Sequence, residues 1–213
     1  HGVENLDQLG PTSDWFIDRK WDGIRGQFIL RQGEHHLWSR GEDLMTDRFP
    51  ELAKLRDFLP DGTVIDGEIL AFQDEKPMSF NALQKRIGRK TVPKKLLAQT
   101  PVILMAYDLL EIDGEDIRHA TLETRRNLLE NILKNSPTEA PLRLSSEVIG
   151  TTWDDFAKER ARSRELHAEG LMLKRRDSPY RAGRRKGDWW KWKIDPLTVD
   201  AVMIYAQAGS GRR

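Results

Sequence analysis

Cysteine is absent from the 213-residue chain, which excludes disulfides, thiol nucleophiles and cysteine-ligated zinc or iron–sulfur centres. No apolar run is long enough for a membrane-spanning helix. The opening HGVENLDQLG has neither a basic start nor an apolar stretch and does not read as a signal peptide. Histidines stand at 1, 35, 36, 119 and 167, none in an HExxH or zinc-finger spacing, so histidine-centred chemistry is unsupported. Ser39 and Ser79 lack the GxSxG context of a hydrolase elbow. Both common phosphate cradles, GxGxxG and GxxxxGK[ST], are missing.

What is present suits a soluble globular protein, of one large domain or two small ones, with 38% hydrophobic and 32% charged residues. The absence of cysteine is compatible with an intracellular setting, cytoplasm and nucleoid or nucleus. A net charge of +1 conceals an uneven distribution. Residues 161–193 hold eleven Lys/Arg against four Asp/Glu, residues 84–95 add six basic residues and no acid, and residues 101–160 carry twelve acids against seven bases. Such asymmetry focuses positive potential where a polyanion can dock, although solvated surface charge gives the same count.

Strand-like segments at 15–21, 26–30, 36–39, 64–72, 102–109, 171–175, 189–194 and 201–205 outnumber helical patterns at 48–58, 78–87, 122–134 and 152–167. Thr121 or Thr124 can cap the third helix, and Thr151 or Thr152 the fourth. Strands and helices do not alternate regularly, which points to an α+β fold with mainly antiparallel sheets rather than a doubly wound one.

Three segments carry chemistry. In Phe16-Ile17-Asp18-Arg19-Lys20-Trp21-Asp22-Gly23-Ile24-Arg25, strand periodicity sends Asp18, Lys20 and Asp22 to one face and Ile17, Arg19 and Trp21 to the other. This is either a surface ion-pair ladder or a lysine presented before a glycine turn where a ligand can approach. In Val64-Ile65-Asp66-Gly67-Glu68-Ile69, two carboxylates share one face of an otherwise apolar strand. Buried carboxylates need a cation, a hydroxyl donor or a metal, and Glu169, ahead of Gly170-Leu171-Met172-Leu173-Lys174, repeats the pattern. In Trp189-Trp190-Lys191-Trp192-Lys193, the aromatic residues pin one face while Lys191 and Lys193 project together from the other, a pairing that a phosphate relieves.

Taken in order, these segments resemble the motifs of the covalent nucleotidyltransferases, the superfamily of DNA ligases, RNA ligases and mRNA capping enzymes. The KxDG motif stands as Lys20-Trp21-Asp22-Gly23. Ser39-Arg40-Gly41-Glu42-Asp43, Asp66-Gly67-Glu68, Ala106-Tyr107-Asp108-Leu109-Leu110, Glu169-Gly170-Leu171-Met172-Leu173-Lys174 and Trp190-Lys191-Trp192-Lys193 follow. Arg25, the Phe49-Pro50 pair and Ser178-Pro179-Tyr180-Arg181 resemble the ATP-dependent DNA ligases in particular.

The resemblance implies a nucleotidyltransferase (ATP-grasp-like) core of two mainly antiparallel sheets with flanking helices over residues 1–196. Residues 197–213 then look like the junction and truncated start of a C-terminal OB-fold domain, in a fragment trimmed at both ends. It implies that Lys20 forms lysyl-AMP from ATP, that AMP passes to the 5′-phosphate of a nick in double-stranded DNA, and that the 3′-OH displaces it. Attack requires the neutral amine. Lys191 and Lys193 would hold the α-phosphate, Asp18 would read the adenine edge in a place usually held by glutamate, and Tyr107 would stack on adenine where phenylalanine is common. Arg25 and Glu68 would lie at the ribose, Lys174 at the nucleotide, and Arg40 at the nucleotide or the 5′-phosphate. Glu68 and Glu169 would support Mg²⁺ or Mn²⁺. Phe80, Arg40, Lys85 and Arg86 are the candidate DNA contacts. The implied partners are nicked DNA, the following OB-fold domain and an upstream DNA-binding domain, with no membrane, in replication, repair or recombination. Without the OB-fold domain, complete nick sealing would be deficient. The competing readings are an RNA ligase or capping-type nucleotidyltransferase and, outside the class, a non-catalytic nucleic-acid-binding module.

Overall fold

The computed structural model describes residues 2, 3, 5–89, 92–134, 136–183, 185–196, 198, 202 and 205. The expected strand at 201–205 and the OB-fold start at 197–213 lie almost wholly outside them. Among the described residues, ten strands form two sheets. The smaller has the order β1-β9-β10, with β1 at Trp15–Trp21, β9 at Ala168–Arg175 and β10 at Trp189–Lys193. The larger runs β3-β2-β4-β6-β7, from β2 (Ile24–Arg31), β3 (Glu34–Ser39), β4 (Thr63–Gln73), β6 (Val102–Ile112) and β7 (Glu115–Asp116). Short strands β5 (Lys76–Pro77) and β8 (Leu142–Leu144) attach to β4 and β6. Among the named strands every pairing is antiparallel except β6 with β8, so the α+β expectation holds.

Period-two patterning divides the faces of each sheet. Phe28, Leu30, Ile65, Ile69, Leu104 and Leu109 fill the main core behind the large sheet, where Leu129 of α3 (Leu122–Leu133) packs. Behind the small sheet, Ile17, Leu171 and Leu173, backed by Trp190 and Trp192, pack with Phe156 of α4 (Trp153–Ala161). The expected caps are present: Thr121 accepts from the Thr124 amide, and Thr152 forms a capping box with Asp155. The expected helix at 48–58 is instead a 3₁₀ helix at Pro50–Asp57, and α2 (Lys94–Gln99) was not foreseen.

Candidate nucleotidyl-transfer site

The candidate residues stand on the sheet faces turned away from the two cores described above. Across the small sheet, Lys20 pairs with Gly170 and Gly170 with Lys193, so the two lysines flank a residue that has no side chain. Gly170 sits at φ +140°, and a Cβ there would meet the Trp192 carbonyl oxygen at 2.2 Å. The register then slips, because Lys20 faces Gly170 while Trp21 faces Ala168. Glu169 is therefore the extra residue of a β-bulge, which re-aims its carboxylate. It accepts a hydrogen bond from Lys20 Nζ and lies 3.2 Å from Lys193 Nζ. Burial alone would raise Glu169, but these lysines outweigh it and hold the carboxyl below its ordinary value. Asp22, in the turn, is raised by burial first and Glu169 second.

The bulge also corrects the face expected for Trp21. Its indole packs with Leu70, Ile103 and Met105 and donates to Ser145 Oγ at 2.9 Å, rather than joining Ile17. Gly23 follows because a Cβ there would meet the Ile69 carbonyl oxygen at 2.4 Å.

On the large sheet, Arg25 pairs with Glu68, and Gln27 with Asp66, as the alternation requires. Asp66 is buried and receives Arg25 through two nitrogens, at 3.0 and 2.6 Å, with Tyr180 OH at 2.8 Å and Tyr107 OH at 3.2 Å. A second register slip between Asp66 and Gly67 makes Tyr107 an extra residue, as Glu169 is on the small sheet. Burial first, then Asp66 and Glu68, push the Tyr107 phenol well above its ordinary value, so it stays protonated and donates. Burial also pushes Glu68 up to about 8, against the pull of Lys20 and Arg25. Glu169 adds to that rise, as does Asp66.

Two expected roles change. Lys174 is 2% exposed, 2.8 Å from Asp18 Oδ2, with the rings of Tyr107 and Trp189 centred 4.7 and 4.9 Å from its Nζ. It serves Asp18 and is closed to a nucleotide. Asp18 in turn has Oδ2 committed to Lys174 and Ser145, and its Oδ1 is buried and without a hydrogen bond, so the carboxylate expected at the adenine edge is as enclosed as Lys174. Arg86 is corrected outright as a DNA contact. Its buried guanidinium donates to Glu51 and to the Arg48 and Thr100 carbonyls and covers the Phe49 ring.

Lys85 is exposed on α1 (Phe80–Ile87). Phe80 is half-buried; it packs on the main core and also borders a cleft of about 940 Å³ shared with Asp22, Glu169 and Lys193. Arg40 is exposed and lines a second cleft, of about 370 Å³, with Arg25, Gln27 and Trp38. Tyr180 and Ser145 acquire positions that no motif assigned, though Tyr180 stood in the Ser178-Pro179-Tyr180-Arg181 segment. Among the described residues, no group of three or more His, Asp or Glu is arranged to hold a metal unaided.

Comparison with known proteins accords with this geometry. The family model of the ATP dependent DNA ligase domain matches residues 4–193. The chain belongs to that family. A probable DNA ligase of Opitutus terrae is 33% identical, over 93% of this chain and 22% of the relative. A DNA ligase of Natronomonas pharaonis is 32% identical, over 99% of this chain and 37% of the relative. The structure of mycobacterial DNA ligase D complexed with ATP and MES superposes with a TM-score of 0.68 at 31% identity, covering 86% of this chain and 55% of that one. The chain thus spans well under half of these curated relatives and about half of the solved ligase chain.

Proposed function

We propose that this chain is the catalytic core of an ATP-dependent DNA ligase and that Lys20 carries AMP. The observation that supports it best is the cluster of Lys20, Glu169 and Lys193 at Gly170, where two ammonium groups meet one half-exposed carboxylate. As a neutral amine, Lys20 Nζ attacks the α-phosphorus of ATP; a P–N bond forms as the bond to pyrophosphate breaks. Glu169, already hydrogen-bonded to Nζ, is placed to receive the proton. Lys193 and Lys191 stabilise charge on the α-phosphate from fixed strand positions, which removes the need for a glycine phosphate loop.

Arg25 and Glu68 would meet the ribose hydroxyls, with Tyr107 as the base platform. AMP then passes to the 5′-phosphate of a nick, near Arg40, and the 3′-OH displaces it. Phe80 and Lys85 are the candidate duplex contacts, and a following OB-fold domain would close on the other side.

The chain fits Mg²⁺ or Mn²⁺ through Glu68, whose burial leaves it in want of a cation, and through Glu169. Two carboxylates with phosphate oxygens and water suit such an ion better than an all-protein cage would. A bound metal would neutralise phosphate charge as pyrophosphate departs.

Incubation with α-³²P-ATP and Mg²⁺, followed by denaturing electrophoresis and peptide mapping, tests the reading. Label on the peptide holding Lys20 is expected; label on another lysine, or none at all, overturns it.

A further inference from the structure

Lys20 stands at the bulge, where the hydrogen-bond ladder is interrupted and the sheet alone holds the backbone less firmly. The side chains of Asp18 and Trp21, which bracket Lys20 along β1, converge on one hydroxyl. Trp21 Nε1 donates to Ser145 Oγ at 2.9 Å, and Ser145 Oγ donates to Asp18 Oδ2 at 3.1 Å. Ser145 is fully buried and follows β8, so it belongs to the other sheet. Its amide donates to the Ala106 carbonyl at 2.8 Å, and its carbonyl accepts from Arg126 at 2.9 Å. Arg126 also donates to the Tyr107 carbonyl at 3.2 Å. Every polar atom of Ser145 is thereby used, and the serine is fixed to the base-platform strand before it touches β1.

We infer that Ser145 is a positioning residue for adenylyl transfer: it clamps the residues on either side of the nucleophile and sets where Lys20 Nζ points. Its hydroxyl bonds both Trp21 and Asp18 and so joins the strand bearing the nucleophile to the strand bearing Tyr107, beside the backbone tie from the Val148 amide to the Ile17 carbonyl. The inference rests on the proposed role of Lys20 and names a residue outside the motifs that suggested it.

The test compares the wild-type chain with Ser145→Ala, Ser145→Thr, Trp21→Phe and the Ser145→Ala/Trp21→Phe double variant. Single-turnover transfer of AMP to Lys20 should slow roughly tenfold in Ser145→Ala and in Trp21→Phe, since small misplacements of reacting groups cost rate steeply. The ATP concentration for half-maximal rate should stay within about twofold, because the hydroxyl binds no part of the nucleotide. Threonine keeps the hydroxyl and should restore the rate. The double variant should be no slower than about the slower single one, because both break the same chain. The Trp21 indole N–H resonance should move in Ser145→Ala and return in Ser145→Thr. Trp21→Phe carries the test if the serine variants lose their fold. A Trp21→Phe rate equal to wild type, multiplicative losses in the double variant, or a loss confined to ATP affinity would overturn the proposal and leave Lys20 as the acceptor. A wild-type chain that never takes label removes both readings together.

Discussion

Lys20 and Lys174 project from the same face of the small sheet, and each meets a carboxylate there, yet the two pairs are built differently. Lys174 and Asp18 are 2% and 1% exposed and lie among aromatic rings. Lys20 and Glu169 are 20% and 31% exposed, and Glu169 borders a cleft. Removing one partner of a buried pair strands the other charge in a medium that cannot solvate it, whereas water and ligands can compensate a half-open one. A lysine that must exchange its partner for a phosphate cannot be satisfied as Lys174 is. Residue type and strand position are shared by the two, so what separates chemistry from architecture here is the degree of closure.

The largest effect expected is on function at the open pair. Lys20→Ala should abolish AMP labelling while folding stability changes by less than about 1 kcal/mol, as for a partly exposed ion pair. Intact-mass detection of one added AMP on that variant would remove Lys20 as nucleophile. At the closed pair the effect reverses. Lys174→Met leaves the buried Asp18 without its hydrogen-bonded counter-charge and should cost about 3–5 kcal/mol in urea unfolding. A Lys174→Met chain as stable as wild type, with labelling lost, would make Lys174 part of the nucleotide site and erase the contrast.

The next effect lies between these extremes. Lys193→Ala should lose about 2–4 kcal/mol of transition-state stabilisation, in the range of a preorganised electrostatic donor, with its unfolding midpoint unchanged. Single-turnover rates and thermal unfolding, measured side by side, decide it. If rate and stability fall together, Lys193 holds the fold and the open side of the comparison shrinks to Lys20.

Much of this was legible in the sequence because strand alternation is a local rule. It placed Lys20 beside Asp18, Asp66 beside Glu68, and Lys193 opposite Trp192, and the motif order led to the right family. The rule failed where register slips. The bulge at Glu169 turned Trp21 toward Leu70, Ile103, Met105 and Ser145, and the one at Tyr107 brought its hydroxyl to Asp66. No local pattern announces a bulge whose partner strand is far along the chain; Lys20 and Glu169 are 149 residues apart. Arg86 misled for a related reason. It sits in a basic run that reads as surface, but the carbonyls and Glu51 that bury it come from segments distant in sequence. Ser145 belongs to no charge pattern or motif and becomes visible only once both sheets are in place.

Glu68 gives the smallest effect and the finest probe of the open cleft. Its carboxyl is raised from the ordinary 4.5 to about 8 in the folded chain, chiefly by burial. Between those values the folded state binds the proton that the unfolded state has released, so stability falls as pH rises. The penalty is absent below pH 4.5, grows through neutrality and is complete above about 8. Glu68→Gln keeps the size of the side chain and cannot ionise, so its stability advantage over wild type should widen from pH 5 to pH 8. Equilibrium unfolding at stepped pH measures this directly. Addition of Mg²⁺ sharpens the test, because a cation held by Glu68 favours the ionised form and should flatten the wild-type slope without altering the glutamine variant. Parallel pH profiles for the two chains would mean that Glu68 is solvated like a surface carboxylate. A slope that Mg²⁺ leaves untouched would instead confine Glu68 to ribose hydroxyls and assign the metal to Glu169 and the phosphates.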